Sequence, residues 1–284
     1  MIPSTFDYQV AESVDHAVEL LGEAGPGAKL LAGGHSLIPM MKLRFARPTV
    51  LVDIARIGDL SYIRDAGDVI AIGACTRHHD LHHSSLLDEA CPIVSHAAGL
   101  IGDPQVRHKG TIGGSVAHGD PASDLPAVLL ALGAEFVLNG PGGSSRTVAA
   151  SDFWTGVFET AAAPGEVLTE ILVPKFGPAA GWSYLKFNRR AQDWGIVAVA
   201  AVVERSNGAI GSARVALANM GPTVLRAGAV EAALAGAGQE AIPGAAALAP
   251  DGTSPPSDTN ATAEFRRHLA QVMVRRAVEA SMGS

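Results

Sequence analysis

Two stretches of this chain set a pair of glycines close to hydroxyl side chains in a similar way: Ala32-Gly33-Gly34-His35-Ser36 and Thr111-Ile112-Gly113-Gly114-Ser115. The first follows Lys29-Leu30-Leu31, a short apolar run that reads as a buried strand. Glycine pairs of this kind end a strand and leave several backbone N–H groups uncovered by side chains, the geometry of an anion-binding nest. Phosphate suits such a nest, and two of them could grip the two halves of one pyrophosphate. Glycine pairs also occur in ordinary turns, and that reading stays open for each loop taken singly.

Around these loops the chain divides into short strands and helices. Ser13 can cap a helix whose apolar residues Val14, Ala17, Val18 and Leu21 fall at helical spacing, with Gly22 and Gly25 as its stop. With KLLA (29–32) and VLVDI (50–54) as strands, the first 55 residues read as a small βαβ-like unit. VIAIG (69–73) opens a loop-rich middle region that runs to Pro174, where FGPAAG (176–181) marks a junction. Three strands follow, WSYLKF, IVAVAAVV and IGSARVALAN, with Asn207-Gly208 as a hairpin turn. Helices are expected over 222–236 and 263–280. The second presents Phe265, Leu269, Val272, Met273 and Ala277 on one face, and a Gly/Ala/Pro/Ser-rich linker separates the two.

Composition and missing motifs narrow the chemistry. A formal charge of −7 without a basic run argues against a nucleic-acid surface. Cys75 and Cys91 are too few to hold an iron–sulfur cluster and are not spaced as CxxC, which fits a reducing cytoplasmic setting. No export signal or long apolar run is evident, so a soluble, non-exported protein is expected. GxxxxGK[ST], GxGxxG between strand and helix, and GxSxG are all absent. RHHDLHH (77–83) pairs histidines at i,i+4, which could bind a metal on a helix, but a solvated turn is preferred and no metal site is assigned. Asp120 and Asp124 precede an apolar helix; Asp124 reads as its N-cap, or one of the two aspartates hydrogen-bonds a sugar hydroxyl of the same nucleotide, and the roles are compatible.

LLAGGHSLIPMMKLR and IGDPQVRHKGTIGGSVAHGDPASDLPAVLLALGA closely resemble the FAD-binding medium subunits of the aerobic molybdenum hydroxylases, above all those of the carbon monoxide-oxidising members. The likeness covers essentially the whole chain. It implies an α+β fold: a two-lobed FAD-binding domain made of the βαβ-like unit (1–55) and a mixed or antiparallel middle sheet (56–177), then a C-terminal three-stranded antiparallel sheet with helices (178–284). It implies that Ala32, Gly33, Gly34, His35 and Ser36, with Thr111, Ile112, Gly113, Gly114 and Ser115, hold the FAD pyrophosphate. Ser115 departs from the asparagine usual there. By the same resemblance Asp124 lies on the ribose or phosphate side, accompanied by Asp120, while Ile101 and Leu168 make apolar flavin contacts. Lys186 falls near the flavin, where a cation would favour its reduced anionic form; a surface lysine at a strand end is the alternative. Trp194 falls about where an aromatic screens the isoalloxazine, with core packing as the alternative.

The resemblance further implies an oxidoreductase subunit without catalytic residues of its own. Its partners would be a large molybdenum-cofactor subunit and a small [2Fe-2S] subunit in a dimer of heterotrimers. Electrons would pass through FAD to an external acceptor, a quinone being one candidate, in the cytoplasm or at the inner membrane face through those partners. An aldehyde or N-heterocycle hydroxylase subunit, or a non-redox nucleotide-binding module, are the alternatives.

Overall fold

A computed structural model describes residues 1–283. Its strands form three main sheets, drawn from residues 7–53, 63–174 and 180–226, and one two-stranded ribbon. In the first sheet Val50–Asp53 lies between Asp7–Val10 and Ala28–Leu31, all parallel. The Val14–Ala24 helix links the outer pair, capped by Ser13, whose hydroxyl accepts from the His16 N–H at 3.1 Å, and stopped by Gly25 at φ 66°. Asp7–Val10 escaped the sequence reading because it is polar and largely exposed, with no apolar alternation to mark it.

The middle sheet runs Ile63–Ala66, Val69–Gly73, Val167–Pro174, Glu135–Gly140, Ser144–Ala149, antiparallel throughout. Helices from 78 to 132 cover it, so that Leu81, Ile93, Val116 and Leu129 share one core with Ile70, Ile72, Phe136 and Ile171. All nine residues of the Asp124–Leu132 helix are buried, because this helix lies between the middle sheet and the next one. Ala198, Ala200 and Val202 face that shared core, while Val197, Val199, Ala201 and Val203 face the C-terminal helix, so the strand between them is apolar on both sides.

The C-terminal sheet corrects the sequence expectation of three strands. Ala180–Phe187, Val197–Ser206 and Ala209–Ala218 are joined by a fourth, Leu225–Arg226, taken from the front of the expected helix, which begins only at Gly228. Two residues are too few to carry a strand pattern. Asn207 and Gly208 both have positive φ, 51° and 82°, as the hairpin turn requires. The linker between the last helices holds a short helix, Ile242–Ala246, that buries Ile242, Ala245 and Ala246. The Ala263–Gly283 helix buries Leu269, Met273 and Ala277 as expected, but its inner face also takes Arg266, Ala270 and Val274 and leaves Phe265 exposed.

Close packing of the Ile112–His118 helix on the middle sheet depends on one glycine. A Cβ on Gly113 would sit 2.5 Å from the Ala74 Cβ and 2.6 Å from the Ala74 carbonyl oxygen. Gly113→Ala should therefore destabilise the chain by about 1–3 kcal/mol, as overpacking does, seen as a lower urea midpoint. An unchanged midpoint would mean that this helix can slide away from Ala74.

Candidate functional site

The loop Ala32–Ser36 leaves the C-terminal end of a parallel strand, the end at which ligands gather in such sheets. Gly34 adopts φ +72°, and the His35 imidazole Nδ1 lies 3.0 Å from the Gly33 carbonyl oxygen. The N–H groups of Gly33, Gly34, His35 and Ser36 meet no acceptor among the described residues. Ser36 also makes no side-chain cap to the Leu37–Lys42 helix. Four consecutive uncommitted donors are what an anion nest needs.

The second loop is built differently. Thr111 is buried and its Oγ1 accepts the Gly114 N–H at 3.1 Å, capping the Ile112–His118 helix. The N–H groups of Ile112, Gly113 and Ser115 donate to Thr76, Ala74 and Thr111 carbonyls. All four N–H groups from 112 to 115 are thus engaged within the protein, and the Ile112 side chain is core. What this loop presents outward is exposed Gly114 and the Ser115 hydroxyl, which has no partner among the described residues.

The two loops touch. A Cβ on Gly33 would fall 2.3 Å from the Lys109 carbonyl oxygen and 2.9 Å from the Gly110 Cα, so the first loop lies directly on the turn that enters the second. The Arg77 guanidinium donates to the same Lys109 carbonyl, and the His78 N–H donates to the Gly110 carbonyl at 3.0 Å. Sequence reasoning gave His78 no part here. Its ring is buried against Gly110, burial pushes it down to about 3, and its Nδ1 has no partner among the described residues. His79, by contrast, stacks on His108 and meets His83 on the outside of the same short helix.

Asp120 closes a turn by accepting the Ala122 N–H at 2.9 Å, and Ser123 rather than Asp124 occupies the N-cap position of the next helix. Asp124, the first helical residue, is buried and points to the C-terminal sheet. Its Oδ1 accepts from the Tyr184 hydroxyl at 2.6 Å and its Oδ2 from the Lys186 ammonium at 3.0 Å. Lys186 is no surface lysine: its side chain is 4% exposed, and it also donates to the Leu100 carbonyl at 3.2 Å. The adjacent Ile101 carbonyl accepts from Arg107 at 3.0 Å, on the segment that leads into Lys109 and Gly110. Contacts therefore run unbroken from the first glycine loop to the buried pair. Tyr184 was missed, although it stands two residues before Lys186 on one strand and so shares its face.

Leu168 is core, paired opposite Leu138, while Ile101 is half-buried against the same core. Trp194 is 64% exposed, which excludes core packing. It stands at a cavity of about 260 Å³ with Asp120, Asn219, Asp258 and Arg266.

The arrangement offers what an anionic, pyrophosphate-bearing ligand would need: bare N–H groups on one loop, a hydroxyl and an exposed glycine on the next, and a fixed cation further along. Comparison with known proteins agrees with that chemistry. Residues 4–176 match the family of the FAD binding domain in molybdopterin dehydrogenase, and residues 182–281 that of the CO dehydrogenase flavoprotein C-terminal domain. The chain is 44% identical to the carbon monoxide dehydrogenase medium chain of Hydrogenophaga pseudoflava, over 99% of this chain and 98% of that one. It is 38% identical to the 6-hydroxypseudooxynicotine dehydrogenase complex subunit alpha of Paenarthrobacter nicotinovorans, over 97% and 94%. Superposed on a chain of carbon monoxide dehydrogenase from Hydrogenophaga pseudoflava, in a form lacking the Mo-pyranopterin moiety, it gives a TM-score of 0.97 at 47% identity, covering 100% of this chain and 99% of that one.

Burial raises the Asp124 carboxyl above the usual carboxylate range, against the opposing pull of Lys186 and Tyr184. The folded chain thus holds this proton more tightly than the unfolded chain, so the stability from Asp124 is complete at low pH and is lost as pH rises through its raised value. Lys186→Met removes the main opposing pull and should deepen that loss. At neutral pH the variant should be about 3–5 kcal/mol less stable than the native chain, the usual cost of breaking a buried pair. The gap should narrow towards pH ~4. Urea unfolding at several pH values measures it; a pH-independent gap would contradict the ion pair.

Proposed function

The chain belongs to the family of FAD-binding flavoprotein subunits of the molybdopterin dehydrogenases, and from that membership we propose that it is the electron-transfer subunit of an aerobic carbon monoxide dehydrogenase. The observation that carries the site assignment is the contact of Gly33 with Lys109 and Gly110, which sets the loop with the unpaired N–H groups of Gly33 to Ser36 against the turn that enters the second loop. In this reading Ala32–Ser36 and Thr111–Ser115 hold the pyrophosphate, the first loop through backbone donors and the second through the Ser115 hydroxyl and the close approach that Gly114 allows. Asp120 and Asp124 close the nucleotide side, Ile101 and Leu168 back the ring system, and Trp194 covers it from the solvent side. Because both Asp124 oxygens already have partners, Asp124 acts chiefly by fixing Lys186. FAD, when bound, supplies the two-electron carrier. The protein's own task is to grip it, exclude water and hold a cation at its edge. We take 1–55, 56–177 and 178–284 as the structural units that build the cleft.

The remaining parts of the complex follow from what this chain lacks. Cys75 and Cys91 are both buried, with burial pushing their thiols up to about 11 and about 12, so neither is poised to bind a cluster. Electrons must then arrive from a partner, which we take to be a small [2Fe-2S] subunit served by a large molybdenum subunit, in a dimer of heterotrimers. They leave to an external acceptor, a quinone being one candidate. No described helix is long and apolar enough to cross a membrane; a cytoplasmic complex resting on the inner membrane face through its partners fits this reading. The likeness to a nicotine-derivative dehydrogenase subunit favours one second reading, an N-heterocycle hydroxylase. Oxidation of carbon monoxide by the purified complex would decide between them.

Heat extraction and chromatography should release FAD, and neither FMN nor nicotinamide nucleotides, in a 1:1 ratio to this chain. The two glycine loops should then respond unequally. Gly114 is exposed, but a Cβ there would fall 2.7 Å from the Thr111 Oγ1 that caps the helix, so Gly114→Val should keep the fold at a cost of about 1 kcal/mol to the cap while weakening FAD binding about tenfold or more, some 1.4 kcal/mol. Gly33→Val drives a side chain into the Lys109 carbonyl and should lose both stability and FAD. Full FAD retention by both variants would remove the assignment of the loops.

A further inference from the structure

The buried Asp124–Lys186 pair has two protonation arrangements of equal net charge: carboxylate with ammonium, or carboxylic acid with amine. Desolvation favours the neutral arrangement, whereas donors aimed at the carboxylate favour the ionic one. Tyr184 is such a donor. Its ring is buried, its hydroxyl lies 2.6 Å from Asp124 Oδ1, and Asp124 is the one partner that this hydroxyl has among the described residues. Burial raises the hydroxyl's own pKa well above the ordinary tyrosine value, so it stays a donor. The other ionisable groups nearby do not replace it: Asp120 pushes Asp124 towards the neutral form, and exposed His96, on the facing Pro92–Gly99 helix, meets the Tyr184 backbone rather than the carboxylate.

We infer that Tyr184 is a positioning residue that keeps the Asp124–Lys186 pair ionic and so keeps Lys186 an ammonium. An ammonium has three N–H groups, of which Leu100 and Asp124 take two. The third has no acceptor among the described residues and is left for a ligand, and it persists only while Tyr184 holds the proton on lysine. The step from this pair to the flavin rests on the site proposed above; the state of the pair itself does not.

The test reads the two separately. In the FAD-free chain with 13C-labelled lysine and aspartate, the Lys186 Cε resonance, assigned by its loss in Lys186→Met, should have the ammonium shift at neutral pH, and the Asp124 Cγ should be that of a carboxylate. Tyr184→Phe, which removes one oxygen and keeps the ring, should move both towards the neutral forms. In the FAD-loaded complex the same variant should lower the flavin midpoint by about tenfold in the redox equilibrium, about 30 mV for two electrons. It should add nothing further in an Asp124→Asn background, because Tyr184 acts only through Asp124. Unchanged resonances in folded Tyr184→Phe overturn the inference. If that variant does not fold, a protonated Asp124 in the native chain overturns it instead, and a carboxylate with an ammonium supports it. Shifted resonances with an unchanged midpoint would leave the inference standing and refute the location of Lys186 beside the flavin.

Discussion

The absence of a Cβ at Gly33 lets the first loop lie on the carbonyl of Lys109, and the geometry of the site depends on that approach. The first parallel sheet and the middle antiparallel sheet come from separate stretches of chain, and this is where their loops abut. Any side chain at position 33 would part them, taking the free N–H groups of Gly33 to Ser36 away from the turn at Lys109 and Gly110. Arg77 holds Lys109 from the other side and buried His78 holds Gly110. The turn is therefore fixed from three directions, as a pre-organised cradle requires.

A second constraint lies at the other end of the cleft. The Asp124–Leu132 helix is buried on every side between two sheets, so the charge at its first residue is far from water. An uncompensated carboxylate there would cost several kcal/mol. It is compensated by a neighbouring strand that sends Tyr184 and Lys186 from one face to its two oxygens. Buried pairs of this sort add little net stability relative to apolar packing, but they fix geometry. In this chain the geometry fixed is the position of a single cation.

Much of this was legible in the residues, and the failures have physical causes. The glycine pairs, Ser13, the Asn207-Gly208 turn and the long apolar strands carry local signals, and each appears where those signals put it. Asp7–Val10 and Leu225–Arg226 carry none, being exposed in one case and two residues long in the other. The second loop read as a bare nest, yet two of its N–H groups serve the Thr76 and Ala74 carbonyls, which arrive from far off in sequence, and two serve Thr111 at the start of its own helix. Asp124 read as a cap or a ligand, and its actual partners lie 60 and 62 residues away, beyond any local pattern. Tyr184 alone could have been found, from the two-residue repeat that ties it to Lys186.

Amide hydrogen exchange at the first glycine loop tests the central claim most directly. In the FAD-free chain the amides of Gly33, Gly34, His35 and Ser36 have no internal acceptor among the described residues and should exchange fast, while those of Ile112, Gly113 and Gly114 should already be slow. Adding FAD should slow the first four markedly and change the others little. Stoichiometric FAD binding with exchange at Gly33 to Ser36 unchanged would contradict the account.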